Sequence, residues 1–177
     1  MIFEGIYVPL VTPFRPDFSV DYDAWGEAID WQVESGTHGI IVGGSTGEFF
    51  SLSREERIDQ FRFAKERING RVPLIAGVND LLVGRCYALT AAAREAGADA
   101  LLVAAPPYSL PSQKELAAHC LKIDRIANLP IMLYNYPGRT GVNMEDAFLE
   151  RVAQSGNVCA IKESSGDVDR IRMLARE

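Results

Sequence analysis

The sequence predicts an α/β protein built on one parallel sheet. Three observations predict it: six short apolar runs recur at nearly even spacing, amphipathic stretches with helix signals lie between them, and no polar alternation interrupts the runs. Runs rich in Val, Ile and Leu without alternation are how strands covered on both faces read. The runs occupy residues 5–11, 39–43, 72–78, 100–105, 130–134 and 158–162, and their starts fall 34, 33, 28, 30 and 28 residues apart. A strand-plus-helix unit of about 30 residues implies right-handed crossovers between parallel neighbours. Two architectures share that unit, an open doubly wound sheet and a (βα)8 barrel. The first usually carries G-x-G-x-x-G after its opening strand, where this chain has Val11-Thr-Pro-Phe14. A closed barrel takes eight units and about 250 residues. Six units are visible here, the last running into a helix that ends at Ala175-Arg-Glu177.

The helices between the runs announce their ends. Ser53-Arg-Glu-Glu56 is a capping box, followed by Ile58, Phe61, Ala64 and Ile68 on one face and by Gly70 as a stop. Leu82, Cys86, Leu89, Ala93 and Ala96 form the next stripe, closed by Gly97. Ser112-Gln-Lys-Glu115 is a second capping box, and Asn143 is placed to cap a helix running through Val152. No linker, low-complexity tract or charge block breaks the series, so residues 1–177 read as one domain.

Composition narrows the function. With 177 residues, 47% apolar and 24% charged, the chain can bury roughly 70% of its unfolded surface, which excludes a disordered segment or a disulfide-stapled miniprotein. A net charge of −6 offers no basic face for nucleic acid or an anionic membrane. Cys86, Cys120 and Cys159 are odd in number and widely spaced, and with His38 and His119 they form no metal-ligand pattern. A reducing cytoplasm is the expected setting. The opening MIFEGIYVPLVTPF has no basic n-region and carries Glu4, Pro9 and Pro13, so it does not read as a secretory signal. The longest apolar run, 100–107, has eight residues, well short of a membrane span.

Ligands of parallel α/β folds bind at the carboxyl ends of the strands, and four of those ends are unusual. Gly43-Gly-Ser-Thr-Gly-Glu48 reads either as a turn whose Thr46 caps a helix, or as a loop whose N–H groups hold a carboxylate or phosphate. It lacks the GK[ST] ending of a P-loop. Lys162 closes the sixth run, where it either escapes to solvent or is desolvated into a neutral amine able to attack a carbonyl. Tyr134 closes the fifth, as an interior phenol or as a proton relay beside that amine. In the turn that follows, Arg139 is either a surface cation or a fork for a substrate carboxylate. Tyr108, after the fourth run, either packs on its turn or joins the relay. Glu48 and Glu163 read as solvated or structural carboxylates, and His38 and His119 lie away from the strand ends.

Taken in order, GGSTGE at 43–48, PPYSLPSQ at 106–113, YNYPGRTG at 134–141 and AIKESSGD at 160–167 resemble the dihydrodipicolinate synthase/N-acetylneuraminate lyase family of pyruvate-dependent class I aldolases. The resemblance covers essentially the whole chain, and the spacing of 28 between Tyr134 and Lys162 agrees with it. It implies a TIM barrel of which about six units are present, the chain ending before strands seven and eight. It implies an imine between Lys162 and pyruvate, with no separate cofactor and no metal. It assigns the pyruvate carboxylate to Ser45 and Thr46, and proton relay to Tyr134, Thr46 and Tyr108, the last contributed across a subunit interface of a homo-oligomer. Arg139-Thr140-Gly141 is similar to the synthase branch, which condenses pyruvate with aspartate semialdehyde; Ser45, Phe49 and Phe50 are similar to N-acetylneuraminate lyases and 2-keto-3-deoxy sugar acid enzymes. A catalytically silent fragment binding a small carboxylate or a partner chain is the alternative from another class.

Overall fold

The computed structural model describes residues 3–175. Met1 and Ile2 of the opening segment, and Arg176 and Glu177 at the expected end of the last helix, lie outside the described residues. The elements alternate as β1 (Tyr7–Pro9), α1 (Tyr22–Glu34), β2 (Gly39–Val42), a 3-10 turn (Phe49–Ser51), α2 (Arg54–Ile68), β3 (Leu74–Gly77), α3 (Val83–Glu95), β4 (Ala100–Ala104), α4 (Gln113–Ala127), β5 (Ile131–Asn135), the one-turn α5 (Pro137–Thr140), α6 (Asp146–Val152), β6 (Val158–Glu163) and α7 (Val168–Leu174).

All six strands are parallel and stand in sequence order, β1-β2-β3-β4-β5-β6. A doubly wound sheet reverses its strand order at a switch point; this one never does. Right-handed crossovers repeated in one direction place every helix on the same face and curl the other face inward, which is the winding of a barrel. The chain is therefore six βα units of a TIM-type barrel. Strand side chains divide accordingly. Ile40, Val42, Leu74, Ala76, Leu101, Val103, Ile131 and Leu133 pack outward with Trp25, Phe61, Leu89 and Phe148 of the helices. Ile41, Ile75, Leu102, Ala104, Met132 and Tyr134 pack inward as a second cluster, joined by Tyr7 and Ala160.

Both predicted capping boxes form, with Ser53 and Ser112 each accepting from the N3 amide while Glu56 and Glu115 reach back. Local chemistry alters three other expectations. The first run yields only Tyr7–Pro9, because Gly5 takes φ 86 and Pro9 has no N–H to extend a ladder; among the described residues β1 pairs on one side only, where a proline is tolerated. Leu82 precedes α3 and is exposed rather than on its buried stripe. Asn143 does not cap α6, which starts after Glu145; its side chain instead accepts a hydrogen bond from Asn135.

Candidate active site

The carboxyl ends of β2, β5 and β6 converge on the inner face. β5 and β6 run in register with Tyr134 opposite Lys162. That pairing depends on a bulge: Ile131 faces Val158 and Met132 faces Ala160, so Cys159 is an extra residue in β6. The bulge switches alternation once, which sends Ala160 and Lys162 inward and Ile161 outward.

Lys162 is half-buried, and its Nζ lies 4.3 Å from the centre of the Tyr134 ring, over the π face. Desolvation by burial lowers its pKa from the usual 10.5. Tyr134 is buried, with its hydroxyl 3.5 Å from Ser45 Oγ across the barrel interior. The structure thus brings together Lys162, Tyr134 and Ser45. Thr46 is exposed, and it caps neither following element: Glu48 precedes the 3-10 turn and Ser53 caps α2. Tyr108 is 91% exposed, with φ 71, on the loop after β4. Arg139 is exposed, its guanidinium 5.7 Å from the Tyr136 ring centre.

The GGSTG loop owes its path to close backbone approach. Gly43 takes φ +67, and a Cβ on Gly77 would meet the Gly43 carbonyl oxygen at 2.4 Å, so the ends of β2 and β3 can touch only as glycines. The loop is also held from beneath. Gln60 Nε2 donates to Thr12 Oγ1 at 3.0 Å, and Thr12 Oγ1 donates to the Gly47 carbonyl at 2.7 Å. Arg57, fully buried, donates to the carbonyls of Asn79 and Gly77 at 2.6 and 2.7 Å and faces Asp80. Arg57 and Gln60 share the face of α2 that carries Phe61, Ala64 and Ile68. A heptad-like count including polar positions could have found them; hydrophobicity alone could not.

Beside Tyr134 opens a cavity of about 310 Å3, walled by Ser45, Phe49, Asn79, Tyr136 and Arg139 among others. Its walls are mostly apolar, and Ser45, Asn79, Arg139 and Thr140 add polar groups suited to an oxygen-rich ligand. Among the described residues no group of three or more His, Cys, Asp or Glu side chains stands ready to hold a metal ion. Among those same residues no helix is long and apolar enough to cross a membrane.

A singly wound βα sheet with a desolvated lysine and a buried tyrosine on adjacent strand ends belongs to the class of TIM-barrel proteins with an amine-bearing site at the carboxyl face. Within that class the chain belongs to the dihydrodipicolinate synthetase family, which it matches over residues 2–177. It is 42% identical to a 4-hydroxy-tetrahydrodipicolinate synthase of Psychrobacter sp. (strain PRwf-1), over 97% of this chain and 57% of that protein. Among solved structures it is similar to dihydrodipicolinate synthase from Aquifex aeolicus, with 38% identity and a TM-score of 0.93, covering 98% of this chain and 59% of that one. It is also similar to the Acinetobacter baumannii enzyme solved with pyruvate, at 37% identity and a TM-score of 0.92, covering 97% and 59%. The chain therefore spans under two thirds of the length of these relatives.

Proposed function

We propose that this chain carries the pyruvate-activating half of a 4-hydroxy-tetrahydrodipicolinate synthase, with Lys162 as the nucleophile. The observation that carries the reading is the desolvated Lys162 amine in register with buried Tyr134. A neutral amine adds through its lone pair to the C2 carbonyl of pyruvate, and loss of water from the adduct leaves an iminium. The positive nitrogen draws electrons from the methyl group, which gives up a proton and becomes an enamine carbon nucleophile. That carbon forms a bond to an aldehyde carbon while the aldehyde oxygen takes a proton. Addition of water, or of an amino group of the adduct itself, to the iminium carbon breaks its bond to the Lys162 nitrogen and restores the amine. The chemistry is complete without a metal or a separate cofactor.

In this reading Tyr134 carries protons between imine, hydroxyl and aldehyde oxygen, passing them toward Ser45 through the 3.5 Å contact. Ser45 and the adjacent Thr46 amide receive the pyruvate carboxylate, and Thr46 and Tyr108 extend the relay. The exposure of Tyr108 suits a residue that acts in a neighbouring copy of a homo-oligomer. Arg139, at the rim of the cavity, takes the carboxylate of aspartate semialdehyde. The pyruvate bound by the Acinetobacter baumannii relative supports the keto acid assignment. The setting that goes with the reading is the cytoplasm.

Borohydride reduction in the presence of pyruvate tests it. A reduced pyruvyl group on the peptide containing Lys162, absent when Lys162 is replaced by Ala, is the expected result. An unchanged mass in folded protein rejects the enzyme reading and leaves the silent fragment.

A further inference from the structure

β6 has one strand neighbour among the described residues, and its inward residue before the lysine is the small Ala160. So small a side chain does little to choose which residues of this strand face inward, and the single bulge already offsets the alternation of sides once. A shift by one residue would turn Lys162 toward the helices and Glu163 into the barrel. What opposes that shift is polar, and it begins at the very next position.

Glu163 is paired with Asn135 across the two strands, one step beyond the Tyr134–Lys162 pair. Asn135 is 1% exposed, and its Nδ2 donates to both Glu163 carboxylate oxygens at 3.1 and 2.9 Å. Its Oδ1 accepts from the Met144 amide at 3.0 Å, which fixes which way the amide group faces. Arg170 of α7 donates from Nε to Glu163 at 2.9 Å, the two side chains being 10% and 6% exposed, and its other nitrogen reaches the Met144 carbonyl. The Ser165 amide adds a third donor, and a fourth hydrogen bond, at 2.7 Å. All of these partners lie on the side away from the barrel interior. A buried ion pair recovers little stability after its desolvation, and its best-attested use is to specify one arrangement over another.

We propose that Asn135, Glu163 and Arg170 form a register lock, positioning residues that hold Lys162 inward over the Tyr134 ring. The lock exploits alternation: fastening an acid to the outer side at position 163 fixes the amine at 162 to the inner side. It also pairs the carboxylate with Arg170, so that no free anion stands beside Lys162 to hold a proton on the amine. For its effect on turnover the inference rests on the pyruvate-imine reading; the geometry it asserts does not.

The test follows Lys162 directly. Brief acylation across a pH series, read by peptide mass, gives the pH at which Lys162 becomes reactive, with exposed Lys114 as internal reference. The unaltered chain is expected to label at Lys162 at lower pH than at Lys114. In Glu163→Ala and Asn135→Ala the Lys162 profile should move onto that of Lys114, and Glu163→Gln, which keeps the Asn135 bond but not the charge pair, should fall between. Where pyruvate trapping occurs it should slow by at least about tenfold in the Ala variants, as a misplaced reacting group does. If an Ala variant does not fold, Arg170→Met gives the same reading with the strand pair intact. Variants that melt earlier yet keep the unaltered Lys162 profile overturn the lock and leave only a structural role. A profile that shifts in a chain that never traps pyruvate supports the lock and rejects the enzyme reading instead.

Discussion

The chemistry proposed for Lys162 depends on what surrounds it more than on what it is. An exposed lysine amine is protonated and inert toward carbonyls at neutral pH. Here burial favours the neutral form, and the face of an aromatic ring lies beside it, 4.3 Å from Nζ to its centre. That face attracts the protonated amine, so the ring moderates the lowering that desolvation causes. The sign of the pH dependence follows. Because the folded-state pKa lies below 10.5, the reactive neutral fraction rises with pH and saturates before an ordinary lysine would. On the imine reading, pyruvate trapping is therefore expected to climb from neutral pH and to reach half of its plateau below pH 10.5, measured as the initial rate of adduct formation. A rate still rising in step with Lys114 acylation would mean that Lys162 is not desolvated. In the sequence this residue was legible as a lysine abutting an apolar strand. Its neighbour Glu163 was legible only as a carboxylate, since its partners Asn135 and Arg170 come from β5 and α7 and no local spacing joins them.

At the scale of elements, the strands and capped helices were readable because hydrophobicity and end signals are local. Polar side chains that face inward are not, because their partners are set by tertiary structure. Helix α2 shows the difference. Its predicted stripe of Phe61, Ala64 and Ile68 is buried, yet Arg57 and Gln60 complete that face where Ile58 was expected, and Ile58 is only half-buried. These two residues make α2 a brace beneath three strand ends, through Thr12 after β1, Gly47 after β2, and the carbonyls of Gly77 in β3 and Asn79 just after it. Burial lowers the Arg57 pKa to about 10, with Asp80 opposing the shift, so the guanidinium stays charged at neutral pH and must keep its partners. Arg57→Met would strand two buried carbonyls and leave Asp80 without its cation. Loss of about 3 kcal/mol of unfolding free energy is expected, as for other broken buried pairs. A urea midpoint measured against the unaltered chain checks it; a change within error would mean that water replaces the guanidinium.

For the whole molecule, winding in one direction decides both what is enclosed and what is left open. The inner cluster of Ile41, Ile75, Leu102 and Met132 is buried because each strand lies beside the next in sequence; the even spacing of the apolar runs made the parallel strands legible but left their order open between two architectures. The even spacing could not reveal that β1 and β6 each pair with a single strand among the described residues. Unpaired edges of a parallel sheet present free N–H and C=O groups, a template for association. Exposed apolar side chains flank both: Ile6, 67% exposed, before β1, and Val168 and Ile171 on α7 after β6, 59% and 48% exposed. The 177-residue chain by itself is therefore expected to associate through these edges as concentration rises. Charges at an edge oppose strand addition, so Ile6→Lys and Cys159→Lys, the latter at the exposed bulge of β6, should lower light scattering at a given concentration. Phe18→Lys supplies the control, since Phe18 is 83% exposed and lies on the loop between β1 and α1, outside both edge strands. If Phe18→Lys reduces scattering as much as the edge variants do, association is driven by general surface hydrophobicity; if only the edge variants act, the open strands are the adhesive surfaces.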